Sequence, residues 1–295
     1  MVFEIQERPR KSDFIRFFDK TPPGIVCPHF HILAHANGCV YECAYCYLQL
    51  TFRGKVRQVV FNNRTDLLRE VRQFLLRKEP SVLNAGELAD ALAVDPHTGL
   101  TRDLIPLFGA QDRHLLVLLT KSANVGQLAG LVHGGRTVVS FSVNAQEVAA
   151  RYEVGSPSPY ERVAAAARAL GAGYRVRFRI DPIIPVEGWR DKYGALVERI
   201  LAVAPPERIT IGSLRFFPNV RSYAAKLGRD ATVFDYATEM CREDGRRRVP
   251  FAQRVEIYRH VVTLLPPNLP VGLCKETDAC ARAVGLPDGV CNCTL

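Results

Sequence analysis

Nowhere do the 295 residues contain an uninterrupted apolar run of the roughly 18 residues that a membrane-spanning helix needs. The opening stretch MVFEIQERPRKSDF is charged from its fourth residue, so it does not read as a signal peptide either. A cytoplasmic protein without a membrane partner is the expectation. Internal repeats and low-complexity tracts are also missing. Acidic side chains are in deficit, 30 against 39 basic ones, which leaves a formal net charge of +9. A polyanionic partner such as nucleic acid is compatible with that balance. The cations are spread along the chain apart from GRRR at Gly245–Arg248, so charge alone does not separate this reading from a solvated basic surface. The nine cysteines are an odd number and partly crowded. In a reducing cytosol that points away from disulfides and towards metal or cluster ligation.

What is present is an alternation of strand and helix patterns. GIVCPHFHILAHANG reads as a strand that delivers a cysteine-rich loop, and RTDLLREVRQFLLRKE (Arg64 to Glu79) has apolar residues at helical spacing. SVLNAGE, HLLVLLTKS, TVVSFSVNAQ, YRVRFRIDPIIP and RITIGSLRFFP follow as strands. The segments between them, TRDLIPLFG, NVGQLAGLV, SPYERVAAAARALGAG and WRDKYGALVERILAVA, read as helices. About six such alternations demand parallel strands with crossover helices, in a doubly wound sheet or a barrel. Beyond Pro218 the pattern loosens through NVRSYAAKLGRD, a basic linker, into a last helix, FAQRVEIYRHVVTLL. The expected division is a leader over 1–24, the α/β unit over 25–218 and a C-terminal extension over 219–295 with a cysteine-rich end.

Cys39, Cys43 and Cys46 stand in the pattern C-x3-C-x2-C. Three thiolates on a short loop can converge on one inorganic centre and leave one coordination position open. A zinc knuckle completed by a distant Cys or His, or plain buried thiols, are the alternatives at this point. The motif CVYECAYC, with Tyr45 before the third cysteine, resembles the radical S-adenosylmethionine (SAM) superfamily signature. More narrowly, HANGCVYECAYCYLQ, RIDPIIP and SVN together resemble the spore photoproduct lyase family, over roughly residues 20 to 275.

That resemblance implies a partial (β/α)6 barrel of the radical SAM type with a C-terminal extension. It implies a four-iron four-sulfur (4Fe-4S) cluster on Cys39, Cys43 and Cys46, with SAM chelated at the open iron. SAM would be cleaved reductively to methionine and a 5′-deoxyadenosyl radical that abstracts hydrogen from substrate. Tyr45 would lie beside the adenine through its backbone and Tyr47 near the radical path, as the catalytic candidate. Glu87, after Gly86 at the end of the second strand, would receive the SAM ammonium. Lys121 would meet the SAM carboxylate, and Ser142 with Asn144 the carboxylate or ribose. These positions close parallel strands, where α/β sheets gather their ligands. Arg179 in RFRIDPIIP contacts the cofactor or pairs with Asp181.

A nucleic acid or nucleotide leads as substrate, with an electron donor such as flavodoxin or ferredoxin as partner. Radical modification of a small metabolite or peptide, and a non-catalytic iron-sulfur nucleic-acid-binding protein, are the competing readings. His29, His31 and Cys27 share one strand face by alternation, which raises a second metal against packed histidines, His35 included. One departure stands out. The repair enzyme of the resembling family uses a cysteine downstream of the cluster motif as hydrogen donor, and this chain has none between Cys46 and Cys241, Glu87 lying at or beside the aligned position. Cys274, Cys280, Cys291 and Cys293 are therefore open to three readings: a second metal or cluster, substitute hydrogen donors, or free thiols.

Overall fold

The computed structural model describes residues 5–54, 58–286 and 289–295. Residues 1–4, 55–57 and 287–288 lie outside this set. Eight strands form the main sheet: β1 (Ile15–Phe18), β2 (Phe30–Leu33), β3 (Val82–Asn84), β4 (Leu115–Thr120), β5 (Thr137–Val143), β6 (Arg175–Ile183), β7 (Arg208–Ser213) and β8 (Val271–Leu273). They lie side by side in chain order. β2 through β8 are parallel, and β1 pairs antiparallel with β2 at the edge. Six of the parallel strands are those expected from the sequence; β8 comes from the segment expected to be the extension. The sheet remains open. A two-residue antiparallel ladder, Ile25–Val26 with Glu276–Thr277, links the regions flanking its two ends.

Strand alternation divides the side chains between two faces. Leu116, Leu118, Val139, Phe141, Phe178, Ile180, Ile209 and Ile211 pack outward with the apolar residues of the crossover helices. The other face is concave. Val82, Leu115, Val117 and Val138 form a small apolar floor there, and Asn84, Ser140, Arg177, Arg179 and Thr210 stand on the same inner side. Helices Arg64–Leu75, Thr101–Gly109, Pro159–Gly171 and Trp189–Val203 match the expected crossovers. Ser158 and Glu161 begin the third of these as a reciprocal capping box, Oγ accepting from Glu161 N at 3.2 Å and the carboxylate from Ser158 N at 2.7 Å.

Two expectations change. Between β4 and β5 the helix expected in NVGQLAGLV is a single 3-10 turn, Gly126–Leu128, because glycines at 126 and 130 leave too little helix-favouring sequence. The basic linker after Pro218 instead begins with a helix, Pro218–Lys226, started by that proline and anchored by buried Val220 and Ala224. Among the described residues no helix is long and apolar enough to cross a membrane.

The concave side is filled at one place by the segment 289–295. Asn292 is fully buried in it. Its Nδ2 donates to Ser140 Oγ (2.9 Å) and Phe178 O (2.8 Å), its Oδ1 accepts from Thr210 Oγ1 (2.9 Å), and its backbone N donates to the same hydroxyl (2.8 Å). Arg177 donates to Asn292 O and Thr294 O, and Arg208 to Cys291 O. Gly272 on β8 permits this insertion, since a Cβ there would stand 1.7 Å from Val290 O.

Candidate active site

The loop after Asn37 carries Cys39, Cys43 and Cys46 across the ends of the parallel strands, and the sequence binds that loop on every side. Gln49, fully buried, donates from one amide to Ala44 O (2.8 Å), Cys46 O (3.1 Å) and Cys43 O (3.3 Å). Glu42–Cys43 pairs with Glu153–Val154, and Arg229 reaches Cys43 O at 3.1 Å. Tyr45 turns its hydroxyl onto the Glu153 carboxylate. Glu153 also pairs with Arg162 at 2.6 Å and Lys121 at 3.7 Å. Burial alone would raise the Glu153 carboxyl, but the two cations and the tyrosine hydroxyl outweigh it and hold the group at about 2.

All three thiols line one cavity of about 370 Å³, together with Tyr45, Tyr47, Glu87, Lys121, Ser142 and Arg179. That is within the size of sites for small ligands, about 300–1,000 Å³. Lys121 donates to Ser142 Oγ at 2.6 Å, and the hydroxyl of the half-exposed Tyr47 donates to Glu87 O. Gly86 allows the strand crossing next to Glu87, where a Cβ would fall 2.4 Å from Leu119 Cβ. Asn144 is placed differently. Its amide is buried behind the wall, donating to Pro182 O (3.0 Å) and accepting from Tyr193 (2.6 Å), so it supports the Glu153 side and does not line the cavity.

Burial pushes the Cys43 thiol up to about 12 and raises Cys39 and Cys46 as well. Three apposed thiols that their own surroundings keep protonated need an added positive centre to become thiolates. An iron-sulfide core fits that donor set. Among the described residues no three His, Cys, Asp or Glu side chains are arranged around a single ion. A cubane cluster does not ask for that, because each of its cysteines binds a different iron, whereas a zinc knuckle does.

The opposite wall holds a second group of thiols. Arg179 Nη2 donates to Cys293 Sγ at 3.0 Å and Nη1 to Cys274 Sγ at 3.4 Å; Cys291 lines the cavity beside them. Asp181 is gripped by Arg215 in a bidentate pair at 2.7 and 3.0 Å, with Arg179 farther off at 3.9 Å. The expected Arg179–Asp181 pairing is thus the weaker contact. The expected second metal centre at Cys274, Cys280, Cys291 and Cys293 is not supported. Cys280 packs elsewhere, beside Arg254 and Glu276, and of the other three Cys274 and Cys293 take hydrogen bonds from the Arg179 guanidinium.

The histidines do not form a metal site either. Pro28 interrupts the strand, His31 packs between Phe17 and Phe74, and His35 Nε2 meets Ala85 O at 2.8 Å. Gln49, Glu153, Arg162 and Arg215 were not singled out from the sequence. Arg162 alone left a readable signal, a charge on the otherwise apolar face of its helix.

Comparison with known proteins agrees with this geometry. The family profile "Spore photoproduct lyase" matches residues 27–216. Spore photoproduct lyase of Geobacillus sp. (strain Y412MC61) is 32% identical over 167 residues, 56% of this chain and 49% of that protein. The Bacillus subtilis (strain 168) enzyme of the same name is 30% identical over 192 residues, 64% and 55% of the two chains. The chain thus spans about half the length of the curated relatives it matches. A solved spore photoproduct lyase complexed with dinucleoside spore photoproduct superposes with a TM-score of 0.76 at 23% identity, covering 91% of this chain and 81% of that one. A double mutant with bound AdoMet and the same dinucleoside gives 0.77, over 92% and 82%.

Proposed function

The chain belongs to the spore photoproduct lyase family, within the radical SAM superfamily, and from that premise we propose that it is a radical SAM enzyme acting on a nucleic-acid lesion or a related nucleotide. The observation that carries this reading is the shared cavity: the three cysteines of the motif face Lys121, Ser142, Glu87 and Arg179 at the ends of the parallel strands. Cys39, Cys43 and Cys46 would hold a 4Fe-4S cluster whose fourth iron takes SAM, and this pair supplies reductive cleavage to methionine and a 5′-deoxyadenosyl radical.

The chain's own residues then do the positioning. Lys121 and Ser142, already joined by a hydrogen bond, present a cation and a hydroxyl to a carboxylate. Glu87 offers an acceptor for an ammonium. With its side chain engaged by Glu153, Tyr45 has only its backbone left to meet an adenine. Tyr47 lines the cavity half exposed, where it would stand between cofactor and substrate. An enclosing cavity would limit the access of water to a radical. A one-electron donor of the flavodoxin or ferredoxin type would feed the cluster.

Anaerobic reconstitution with iron and sulfide, followed by dithionite and SAM, tests the reading. 5′-Deoxyadenosine is the expected product, with turnover of dinucleoside spore photoproduct when that is added. A cluster that forms without yielding 5′-deoxyadenosine defeats the radical assignment. Oligonucleotide binding should weaken steeply with salt; salt-independent binding would count against nucleic acid.

A further inference from the structure

Five cations and three acids line the cavity, and pairing them off leaves a surplus of positive charge. Lys121 is engaged by Ser142 and Glu153, Arg215 by Asp181, and Arg246 reaches Asp244 at 3.3 Å. Of the acids, Asp181 is held by Arg215, and Asp90 accepts from Thr120 Oγ1 (2.6 Å) and from the backbone N of Leu92, Ala93 and Lys121. Glu87 is the acceptor offered above to an ammonium. Arg179 and Lys275 remain. Arg179 is nine-tenths buried, its terminal nitrogens donate only to the sulfurs of Cys293 and Cys274, and its Nε has no partner. Thiol sulfur is a weak acceptor. The nearest carboxylate oxygen stands 3.9 Å away on Asp181, already gripped by Arg215. A buried guanidinium so poorly matched calls for an anion, because a desolvated charge without one is costly.

Lys275 directly follows Cys274, whose sulfur Arg179 touches. Its Nζ stands over the Phe18 ring at 5.0 Å, and among the described residues it enters no ion pair. Its backbone is left-handed, with φ at 48°, a conformation that glycine adopts freely and lysine seldom does. β8 before it and the ladder of Glu276–Thr277 with Ile25–Val26 after it hold it there. A strained lysine at a cavity wall, where glycine would relieve the strain, points to a use for its charge.

We propose that Arg179 and Lys275 form a subsite for one phosphate group of the substrate. The proposal rests on the nucleotide reading above, in which Lys121 and Ser142 meet the SAM carboxylate and leave this second pair of cations to the substrate. Phosphate suits them, since the guanidinium offers directed N–H donors and the ammonium a point charge. A phosphate-bearing nucleotide would then be preferred to the matching nucleoside.

Two binding measurements on the reconstituted full chain, both without SAM, test this. In the first, inorganic phosphate is titrated in and its phosphorus NMR line width followed. The broadening should fall about tenfold in Lys275→Gly and in Arg179→Gln, and return in Lys275→Arg. Lys275→Gly decides the matter, because glycine accepts that backbone and the melting temperature should stay close to wild type. Unchanged broadening in Lys275→Gly overturns the subsite. The second compares dinucleoside spore photoproduct with its form bridged by a phosphodiester and with a form bearing only a 5′-phosphate. One phosphate form should bind about tenfold more tightly than the dinucleoside, and the advantage should vanish in Lys275→Gly. A gain for the bridged form assigns the subsite to a phosphate within a strand, and a gain for the other to a terminal one. Equal affinity for all three overturns it. Failure of all three to bind defeats the lesion reading instead, and the phosphate titration still decides the subsite.

Discussion

Two trios of cysteine line one cavity and differ in the cations that their sulfurs touch. Around Cys39, Cys43 and Cys46, burial dominates and lifts all three thiols, with Lys121 and Arg229 acting only as weaker influences on Cys43 and Cys46. Around Cys274, Cys291 and Cys293, the Arg179 guanidinium donates directly to two of the sulfurs. The same side chain is therefore set up for two chemistries. The trio of the motif would be completed by a positive inorganic core, whereas the other already holds an arginine against two of its sulfurs. Counting cysteines in the sequence cannot make that distinction; the position of the nearest cation does.

The largest expected effect separates the two walls outright. Cys43→Ala should reduce bound iron and 5′-deoxyadenosine formation to background, measured by iron analysis and product assay after reconstitution. Cys293→Ser should leave bound iron at the wild-type level. If Cys293→Ser also loses iron, the two trios are not distinct and the comparison collapses.

Next in size is the support beneath the cluster loop. Glu153→Gln leaves Arg162 and Lys121 facing a neutral group in the interior, a change of the kind that costs about 3–5 kcal/mol. Thermal denaturation should show it as a lower melting temperature, and iron retention should fall with it because Tyr45 loses its anchor. The sign of the pH dependence follows from the same site. Glu153 is held at about 2 in the folded chain, below the ordinary glutamate value of about 4.3. Its contribution is therefore complete above that ordinary value and disappears as pH falls through the interval towards about 2. Denaturant midpoints measured across that range should decline in wild type and be flatter in Glu153→Gln.

On the opposite wall the expected effect is smaller and has the reverse chemistry. Arg179→Gln removes the cation that favours thiolate, so the ultraviolet thiolate absorbance lost in Cys291→Ser should appear at least about one pH unit higher in Arg179→Gln than in wild type. An unmoved titration would mean that Arg179 does not set the thiol wall apart.

How far the sequence disclosed this arrangement depends on the range of the interaction. The six parallel strands and four of the crossover helices were legible, because period-two and helical apolar spacing are local properties. The cluster cysteines were legible from spacing and resemblance. Cys291 and Cys293 near Arg179 were not, since that contact joins positions more than a hundred residues apart and depends on Asn292 pinning the segment into the concave face. Asn144 shows the converse. It ends a strand with the ligand-bearing positions, yet Tyr193 and Pro182 turn its amide behind the wall. Strand-end position defines a neighbourhood, and packing then decides which side chains enter the cavity.

The smallest expected effect is the most economical check on where the thiol wall ends. Cys280 shares the cysteine-rich stretch with Cys274, Cys291 and Cys293, but it lies fully buried in the helix Asp278–Val284, in the field of Glu276 and Arg254. A serine hydroxyl can make a polar contact with Arg254 there, so Cys280→Ser should cost about 1 kcal/mol of stability. Iron content, zinc content and the thiolate titration of Cys291 should all match wild type. Should bound metal fall by a whole equivalent in Cys280→Ser, then Cys280 would belong with the other three, and Arg179 would have to leave the space between them. A second metal centre and an arginine-centred thiol wall are mutually exclusive occupants of the same few ångströms, so this one conservative substitution distinguishes them without any knowledge of the substrate.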